Sequence, residues 1–182
     1  MANKAILYSF WKSSCSWRVR LALRFKHIDY EYVAINLFEN EHKTDKYLKI
    51  SPMSQVPALK IDNYTLYQSL PICEYLEETR KDIGLSLFYG NDNLSKYKIR
   101  AFCESINAFI QPMQQNSVLQ STNHIFMKEL DEKEQNKRKL NWASFYIDKG
   151  LNTLETIIMN EGKNNTKYCF GNDVSFADIF LV

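Results

Sequence analysis

The sequence predicts an α/β domain followed by an all-α domain. As far as Arg80, short apolar runs alternate with amphipathic segments in the order β-α-β-(α)-β-β-α, which is typical of a small mixed sheet covered by helices. From residue 94 onward, apolar residues recur every three or four positions, which is the helical period. We therefore expect an α/β domain over 1–82, a polar, turn-rich linker over 83–93 and an all-helical domain over 94–182.

Composition limits the classes of function. At 182 residues, with 45% hydrophobic and 24% charged residues, the chain has the balance of a globular protein. A net charge of +2 is far below the concentrated basic patch of a nucleic-acid binder, so we expect no nucleic-acid partner. No apolar run approaches the roughly 20 residues of a membrane span, and the first residues lack the pattern of a signal peptide. These features predict a cytoplasmic protein with no membrane partner.

The cysteines argue against two kinds of site. Cys15, Cys73, Cys103 and Cys169 form no C-x-x-C pair and have no histidines at metal-ligand spacing. We therefore expect neither a metal site nor a dithiol redox centre. In a reducing compartment all four should be free thiols, and the last three are predicted to be buried apolar side chains.

Three segments at the start of the chain predict a βαβ unit. The runs 5–10 and 30–35 have the length and apolar composition of buried strands. Between them, apolar residues at helical spacing predict a helix that ends near Lys26 and His27. The next stretch, 38–50, is charged and only weakly periodic, so we expect a solvated connection there rather than core.

A hairpin and a helix complete the predicted sheet domain. Residues 57–61 and 64–67 are short β runs joined at Asp62 and Asn63, whose side chains suit a tight turn. Ser69 is predicted to cap the helix that follows. Pro71 is tolerated in the first turn of this helix because the first amides have no helical partner.

Two long amphipathic helices dominate the predicted second domain. Apolar residues over 99–113 and 140–158 repeat at three and four positions, which predicts one buried face on each helix. Pro112 should kink the first helix, and the mixed charges of 128–139 predict a solvated helix end or loop. The run 175–178 (SFAD) reads as a capping box. Because the helix that it begins would stop after one apolar turn, we expect the chain to be truncated.

The run SSCS at 13–16 lies between the first predicted strand and the first predicted helix. Backbone amides at a helix N-terminus point outward and attract negative charge, so this run is a candidate anion site. The simpler alternative is that Ser13 or Ser14 only caps the helix. Cys15 is a second candidate nucleophile, because thiols at helix N-termini can be reactive. Without a partner histidine in the sequence it is a weaker candidate than Ser13.

Two further segments favour a binding site for an extended peptide. Val56-Pro57 is a candidate cis peptide bond at the start of a strand, and in that conformation the backbone of Val56 can pair with an extended peptide. Gln68 and Ser69 offer an amide, a hydroxyl and backbone N–H groups for a carboxylate. We therefore expect a peptide-shaped pocket with its thiol end at Ser13, its middle at Val56 and its carboxylate end at Ser69.

Five segments of the chain carry a resemblance to a known family. They read SSCSWRVRLAL, QVPALKID, QSLPICEYLEETR, IQPMQQNSVL and FGNDVSFAD. Over nearly the whole chain they closely resemble the zeta class of glutathione transferases. The resemblance implies a thioredoxin-like N-terminal domain, an all-helical C-terminal domain, a homodimer and glutathione as cofactor.

The resemblance also implies roles for individual residues. Ser13 would stabilise the glutathione thiolate, and Ser14 and Cys15 would be its catalytic neighbours; all three would also contact glutathione. A free thiol with a pKa near 8.5 needs about 2.7 kcal/mol to ionise two pKa units lower. A hydrogen bond to a charged group and a helix N-terminus together supply roughly that much. The other implied glutathione-binding residues are Ser16, Trp17, Arg18, His42, Val56, Pro57, Gln68, Ser69, Gln111, Gln115, Asn116 and Ser117.

The reaction that the resemblance implies is the cis-to-trans isomerisation of a small diketo acid in aromatic amino-acid catabolism. The glutathione thiolate would add to the conjugated substrate, the former double bond would rotate, and the thiolate would leave. Lys12 and Arg18 are candidates for stabilising the charge that develops on the substrate, and Arg18 has the alternative role of a structural ion-pair member. The sequence departs from the family pattern at Gln115, where relatives have an asparagine. The family's substrate-carboxylate arginine would lie beyond Val182.

Three other functions remain open on the sequence. A conjugating transferase that acts on α-halo acids would share Ser13 and the glutathione pocket but would release a thioether. A truncated paralogue would bind glutathione without turnover. A glutaredoxin-like reductase is disfavoured, because Ser13 replaces the attacking cysteine of that motif and Cys15 is out of register.

Overall fold

The computed structural model describes residues 4–88, 92–161 and 166–182. It divides the chain into two compact units, of which the first ends at Phe88 and the second runs to Leu181. Residues 89–91 of the predicted linker lie outside the described residues. Residues 83–88 of the predicted linker belong to the first unit, where the backbone N–H of Leu85 donates to the carbonyl of Phe25 at 3.1 Å.

The first unit is built on a four-stranded mixed sheet. Its strands are β1 (Ala5–Ser9), β2 (Tyr30–Ala34), β3 (Ala58–Ile61) and β4 (Tyr64–Tyr67), and their order across the sheet is β2-β1-β3-β4. β1 pairs in parallel with β2, whereas β1 with β3 and β3 with β4 are antiparallel. This arrangement confirms the predicted βαβ unit and the predicted hairpin.

Two helices supply the apolar layer of the first unit. They are α1 (Ser14–Phe25) and α3 (Ser69–Thr79), which pack against each other. Leu23 of α1 and Leu76 of α3 have no exposed surface, and neither does Leu7 of β1. Full burial of such side chains stabilises a fold by about 1.5 to 3 kcal/mol each.

The hairpin turn between β3 and β4 has the backbone that its sequence predicts. Asp62 and Asn63 both have positive φ, 50° and 65°, which is the geometry of a two-residue type I′ turn. The turn is tied to α3, because Arg80 donates to both carboxylate oxygens of Asp62 at 2.7 Å. Tyr75 donates its hydroxyl to the same carboxylate at 2.8 Å.

The prediction of a solvated connection over 38–50 is wrong for one side chain. A 3-10 turn (Glu41–Lys43) and the short helix α2 (Asp45–Leu48) form here. Thr44 caps α2 by accepting a hydrogen bond from the N–H of Tyr47, and Tyr47 is only 2% exposed. It joins a buried cluster, called the Phe10 cluster below, that consists of Phe10, Ile35, Tyr47 and Val56.

The predicted capping role of Ser69 is also wrong. The N-cap of α3 is Gln68, with φ 71° and ψ 122°, and Ser69 is the first helical residue. The hydroxyl of Ser69 is buried and accepts a hydrogen bond from Arg18 Nη1 at 3.3 Å. The Ser69 hydroxyl, which the sequence predicts as a helix cap, is therefore hydrogen-bonded to the buried guanidinium of Arg18 in α1.

The described part of the second unit is helical. Its helices are α4 (Asn93–Ser105), α5 (Gln111–Gln114), α6 (Asn116–Phe126), α7 (Glu132–Asn160) and α8 (Phe176–Leu181). A π turn over Ile106–Ile110 joins α4 to α5 directly before Pro112. Proline cannot donate the usual helical hydrogen bond, and the helix here changes its winding before Pro112 and breaks after it, at Gln115, where ψ is 135°.

The predicted buried face of the second long helix is only partly correct. In α7, Leu154 is 2% exposed, but Leu140 and Leu151 are 68% and 45% exposed. Gly150 marks the close packing of α7, since a Cβ there would lie 2.3 Å from Ile110 Cγ1. The charged stretch 128–139 contains the solvated start of α7, which confirms the predicted solvated helix end. The structure shows that the N-cap of this helix is Asp131.

The predicted capping box at the start of α8 is confirmed. Asp178 Oδ2 accepts hydrogen bonds from both the N–H and the hydroxyl of Ser175 at 2.8 Å. Its other oxygen accepts from the N–H of Cys169 at 2.8 Å. Among the helices of the described ranges, none is both long and apolar enough to cross a membrane.

Candidate active site

Ser13 is the N-cap of α1 and keeps a proton to donate. Its side-chain oxygen accepts a hydrogen bond from the N–H of Ser16 at 3.1 Å, and its own N–H donates to the carbonyl of Phe10 at 3.0 Å. A serine hydroxyl has one donor and two acceptor sites. The cap uses an acceptor site, so capping and donation to an anion are compatible in the same side chain.

The neighbours of Ser13 have different exposures. Ser14 is exposed at the first position of α1, and Cys15 is half-buried. Ser16 is fully buried, so what it offers to the site is the backbone N–H that fixes Ser13. Trp17 is 41% exposed, and Arg20 lies over its ring at 4.9 Å.

Arg18 joins the N-terminal turns of α1 and α3. It is only 1% exposed, and its Nη1 donates to Ser69 Oγ at 3.3 Å and contacts Cys15 Sγ at 3.8 Å. The bond to Ser69 links α1 to α3, and the contact with Cys15 lies within the first turns of α1 itself. Of the two roles left open for Arg18, this burial favours the structural one.

Lys12 is the exposed cation beside Ser13. Its ammonium lies 4.8 Å from the centre of the Trp11 ring and 5.4 Å from that of Phe38. Both rings are exposed, at 66% and 64%, and Phe38 packs edge-on against Phe10 at 5.3 Å. Cation–π contacts of this kind attract the ammonium to the rings and so restrict its position.

The peptide bond between Val56 and Pro57 is cis, as predicted. Both residues are buried directly before β3. The preceding carbonyl, that of Gln55, accepts hydrogen bonds from the hydroxyls of Tyr47 and Ser51, both at 2.8 Å. The Gln55–Val56 segment is therefore fixed from its buried side.

The N-terminus of α3 offers backbone amides. The side chain of Gln68 makes no capping hydrogen bond within the described structure, and the first N–H groups of a helix have no intrahelical partner. Gln68 instead donates its side-chain amide to Gln55 Oε1 at 3.5 Å. The start of α3 therefore fits a carboxylate.

His42 lies in the 3-10 turn before α2. Its carbonyl accepts the hydroxyl of Ser54 at 2.6 Å. Partial burial, helped by the charge of Lys43, lowers the pKa of His42 below its ordinary value. A neutral imidazole has one donor and one acceptor nitrogen, so it can donate a hydrogen bond to a peptide carboxylate or accept one from a peptide amide.

The ends of the predicted pocket meet at one edge of the sheet. The strand register pairs Tyr8 of β1 with Ala58 of β3, and Ala58 with Tyr67 of β4. The end of β1, the start of β3 and the end of β4 are therefore adjacent. The pocket residues that flank these three strand ends are Ser13, Val56 and Gln68.

The remaining predicted contacts lie in the second unit. Gln111 begins α5, Gln115 is the residue at which the helix breaks, and Asn116 and Ser117 open α6. All four surround the break that follows Pro112. Their contact with glutathione stays a prediction.

Two residues that the sequence does not identify lie behind the Gln55–Val56 segment of the predicted pocket. Tyr47 and Ser51 are 2% and 1% exposed, yet they lie in a charged stretch whose weak periodicity gives no sign of burial. A tyrosine and a serine four residues apart, just before the Gln55-Val56-Pro57 segment, are the only local signal. That spacing puts two side chains on one helical face.

The other cysteines offer no reactive thiol. Cys73 and Cys103 are fully buried and Cys169 is 9% exposed, as predicted. Burial raises the pKa of the Cys73 thiol. Burial, together with the Asp178 carboxylate, raises that of Cys169 to about 12. Across the ranges that the structure covers, no cluster of His, Cys, Asp and Glu could hold a metal ion.

Two family models match the chain. Residues 12–79 match the glutathione S-transferase N-terminal domain, and residues 116–182 match the glutathione S-transferase C-terminal domain. The first match contains Ser13, Val56 and Gln68, and the second contains the capping box of α8. The two matches follow the division into a sheet unit and a helical unit.

Known proteins that are similar to the chain include zeta-class glutathione S-transferases and maleylacetoacetate isomerases. Maleylacetoacetate isomerase from Mus musculus is 43% identical over 183 residues, which cover 100% of this chain and 76% of that protein. The holo structure of maleylpyruvate isomerase, a bacterial zeta-class glutathione S-transferase, is 30% identical, with a TM-score of 0.84 over 97% of this chain and 78% of that one. The structure of maleylacetoacetate isomerase from Methylobacterium extorquens AM1, with bound malonate and glutathione, is 31% identical, with a TM-score of 0.86 over 97% and 78%.

A thioredoxin-like sheet with a serine at the N-cap of α1, followed by a helical unit, defines a glutathione S-transferase fold. The chain belongs to the zeta class of the glutathione S-transferase family.

Proposed function

We propose that the chain is a glutathione-dependent isomerase that converts maleylacetoacetate into fumarylacetoacetate, a step of aromatic amino-acid catabolism. The observation that carries the proposal is the Ser13 hydroxyl, which caps α1 and still has a proton to donate. It is supported by the names of similar proteins, several of which are maleylacetoacetate isomerases at 40–43% identity.

Glutathione is the cofactor that the site fits. Ser13 would hold its sulfur, the backbone of Val56 its peptide, and the N-terminus of α3 at Gln68 and Ser69 its carboxylate. Each of these groups is a hydrogen-bonding group at the same edge of the sheet. When bound, glutathione supplies a thiolate that adds to the substrate double bond and leaves again, so that it is not consumed.

Ser13 would lower the free energy of the thiolate by donating a hydrogen bond from its hydroxyl to the sulfur. A hydrogen bond to a charged group contributes about 1.5 to 3 kcal/mol, and the N-terminus of α1 adds about 0.3 to 1 kcal/mol. The sum is close to the roughly 2.7 kcal/mol that two pKa units require. No tyrosine or histidine base is needed at this position.

Lys12 is the group that we assign to the charge on the substrate. It is exposed beside Ser13, and the rings of Trp11 and Phe38 orient its ammonium. A positive charge held in place stabilises the negative charge that develops on a carbonyl or carboxylate oxygen of the diketo acid. Arg18 contributes indirectly, because it fixes the first turn of α1 against Ser69.

The assembly and location follow from the family resemblance. We expect a homodimer in the cytoplasm, which light scattering and cell fractionation measure directly. Glutathione transfer to small α-halo acids is expected as a second activity of the same site, since it needs the same thiolate.

The test follows substrate and cofactor together. Purified protein is given glutathione and maleylacetone, the decarboxylated analogue of the substrate, and both fumarylacetone and total free glutathione are measured. We expect product that depends on glutathione, with no net loss of glutathione. Loss of glutathione in step with substrate would instead identify a conjugating transferase, and binding without turnover would identify a non-catalytic relative.

A further inference from the structure

Two buried hydroxyls hold the backbone of the predicted glutathione pocket from its inner side. Tyr47 and Ser51 both donate to the carbonyl of Gln55, each at 2.8 Å. A carbonyl oxygen has two lone pairs, so this one is fully engaged by side chains. Ser51 also accepts the N–H of Gln55 at 3.4 Å.

The two donors are themselves buried and make further contacts. Tyr47 is 2% exposed and belongs to the Phe10 cluster, and its ring packs edge-on against Tyr8 at 6.1 Å. Ser51 is 1% exposed, and its N–H donates to the carbonyl of Tyr47 at 2.9 Å. Burial raises the pKa of Tyr47, so its hydroxyl remains a proton donor throughout the physiological range.

Fixing this carbonyl also fixes the next N–H. The Gln55–Val56 peptide bond is trans, and in a planar trans peptide the C=O and N–H bonds point in opposite directions. Since the Gln55 carbonyl points at Tyr47 and Ser51, the N–H of Val56 points away from them. That is the direction in which an extended peptide can pair with Val56.

We propose that Tyr47 is a positioning residue for glutathione: with Ser51, it aims the Val56 N–H at the peptide of the cofactor through the Gln55 carbonyl. The inference rests on the proposed use of glutathione and concerns its peptide portion, whereas Ser13 concerns its sulfur. Tyr47 touches neither the cofactor nor the substrate. Its effect is on glutathione affinity and not on the chemical step.

The test removes one hydroxyl and leaves the ring. Tyr47→Phe keeps the packing of the Phe10 cluster, and we expect it to raise the dissociation constant of glutathione about fivefold, the value of one neutral hydrogen bond. S-methylglutathione has no thiol to ionise, and its dissociation constant should rise by the same factor. At saturating glutathione, kcat should equal that of the wild type, because Ser13 is unchanged.

Tyr75→Phe is the matched control. Tyr75 is a second tyrosine of the same unit, and it donates a hydrogen bond of the same 2.8 Å length, but to Asp62 at the hairpin turn. This control should leave both dissociation constants unchanged. Ser51→Ala is the second test variant, since it removes the other donor to the same carbonyl, and it should weaken both ligands as Tyr47→Phe does.

Calorimetric titration of the full chain with the two ligands separates the outcomes. Wild-type affinity in both Tyr47→Phe and Ser51→Ala would overturn the inference, as would a lower kcat at saturating glutathione with no change in affinity. A different result would contradict the proposed isomerase activity: wild-type protein that binds glutathione but does not convert maleylacetone. The affinities of the variants are measurable in either case.

Discussion

At the scale of single residues, the two roles that the sequence presents as alternatives for Ser13 are compatible. Its oxygen caps α1 by accepting from Ser16, and its O–H group remains available for the hydrogen bond to the thiolate that we propose. A serine can do both because its donor and acceptor sites are independent. The capping bond also orients the hydroxyl, so that less conformational entropy is lost when glutathione binds.

The four cysteines should differ sharply in reactivity. Cys15 is half-buried, whereas Cys73, Cys103 and Cys169 are at most 9% exposed, and burial holds the pKa values of Cys73 and Cys169 above their ordinary range. We expect a disulfide reagent to label one thiol in the folded protein and the other three only after denaturation. Mass spectrometry of the labelled protein counts them.

Cys15→Ser provides the control for this labelling. The folded variant should take up no label on the timescale on which the wild type takes up one. A second thiol labelled as fast as Cys15 in the native wild type would contradict the described burial.

The sequence predicts single residues well where one local motif decides their geometry. The cis bond at Val56-Pro57 and the box at Ser175 and Asp178 are of this kind. The cap of α1 was narrowed to Ser13 or Ser14, and the structure shows that it is Ser13. Arg18 and Tyr47 are different, because their partners are distant in the chain or lie in a stretch without periodicity. Only the fold brings Ser69 to Arg18, 51 positions away.

At the scale of elements, the β3–β4 hairpin is held by charge as well as by its turn. Arg80 donates from one guanidinium nitrogen, Nη2, to both carboxylate oxygens of Asp62, and Tyr75 donates to the same carboxylate. The hydrogen bond from Arg80, followed by that from Tyr75, lowers the pKa of Asp62 below its ordinary value. The carboxylate therefore stabilises the folded state in its ionised form.

Asp62→Asn tests this pair through its pH dependence. A depressed folded pKa gives stability that is present above the unfolded pKa, near 3.9, and is lost as the pH falls through the lower folded value. Because the pair is partly exposed, we expect the variant to melt only about 2–4 °C below the wild type at pH 7. The gap should close below pH 4, and asparagine tolerates the positive φ of this turn.

Asp29→Asn is the comparison for this experiment, since Asp29 is an exposed aspartate of the same unit. Its melting curve should follow the wild type across the same pH range. A gap for Asp62→Asn that stays constant down to pH 3 would show that the carboxylate charge does not stabilise the hairpin.

Helices and strands with a clear local sequence pattern were predicted correctly, and features that depend on contacts distant in the chain were not. Strand alternation and the Asp62-Asn63 turn predict β3 and β4 correctly. The cap of α3 was assigned to Ser69 and the structure places it at Gln68, because the buried Arg18 competes for the serine hydroxyl. The exposed Leu140 and Leu151 show that helical periodicity predicts a helix more reliably than it predicts which residues are buried.

At the scale of the whole molecule, function depends on elements that are separate in sequence. The β1–α1 connection, the start of β3 and the start of α3 carry the predicted thiol end, middle and carboxylate end of the pocket, and the sheet register brings them to one edge. The fold class was predictable because every motif agrees with one topology, and the family was predictable from the resemblance carried by five segments of the chain. The inner support of the pocket, from Tyr47 and Ser51, was visible only in the structure.

The most direct measurement is the titration of bound glutathione by the ultraviolet absorbance of its thiolate, in wild type and Ser13→Ala, with S-methylglutathione as the blank. We expect the bound thiol to ionise about two pKa units below free glutathione in the wild type, and about one to two units higher than that in Ser13→Ala. Asp92→Ala, which removes the N-cap of α4 instead, should titrate like the wild type. Identical titration of the bound thiol in wild type and Ser13→Ala would contradict the central role of Ser13.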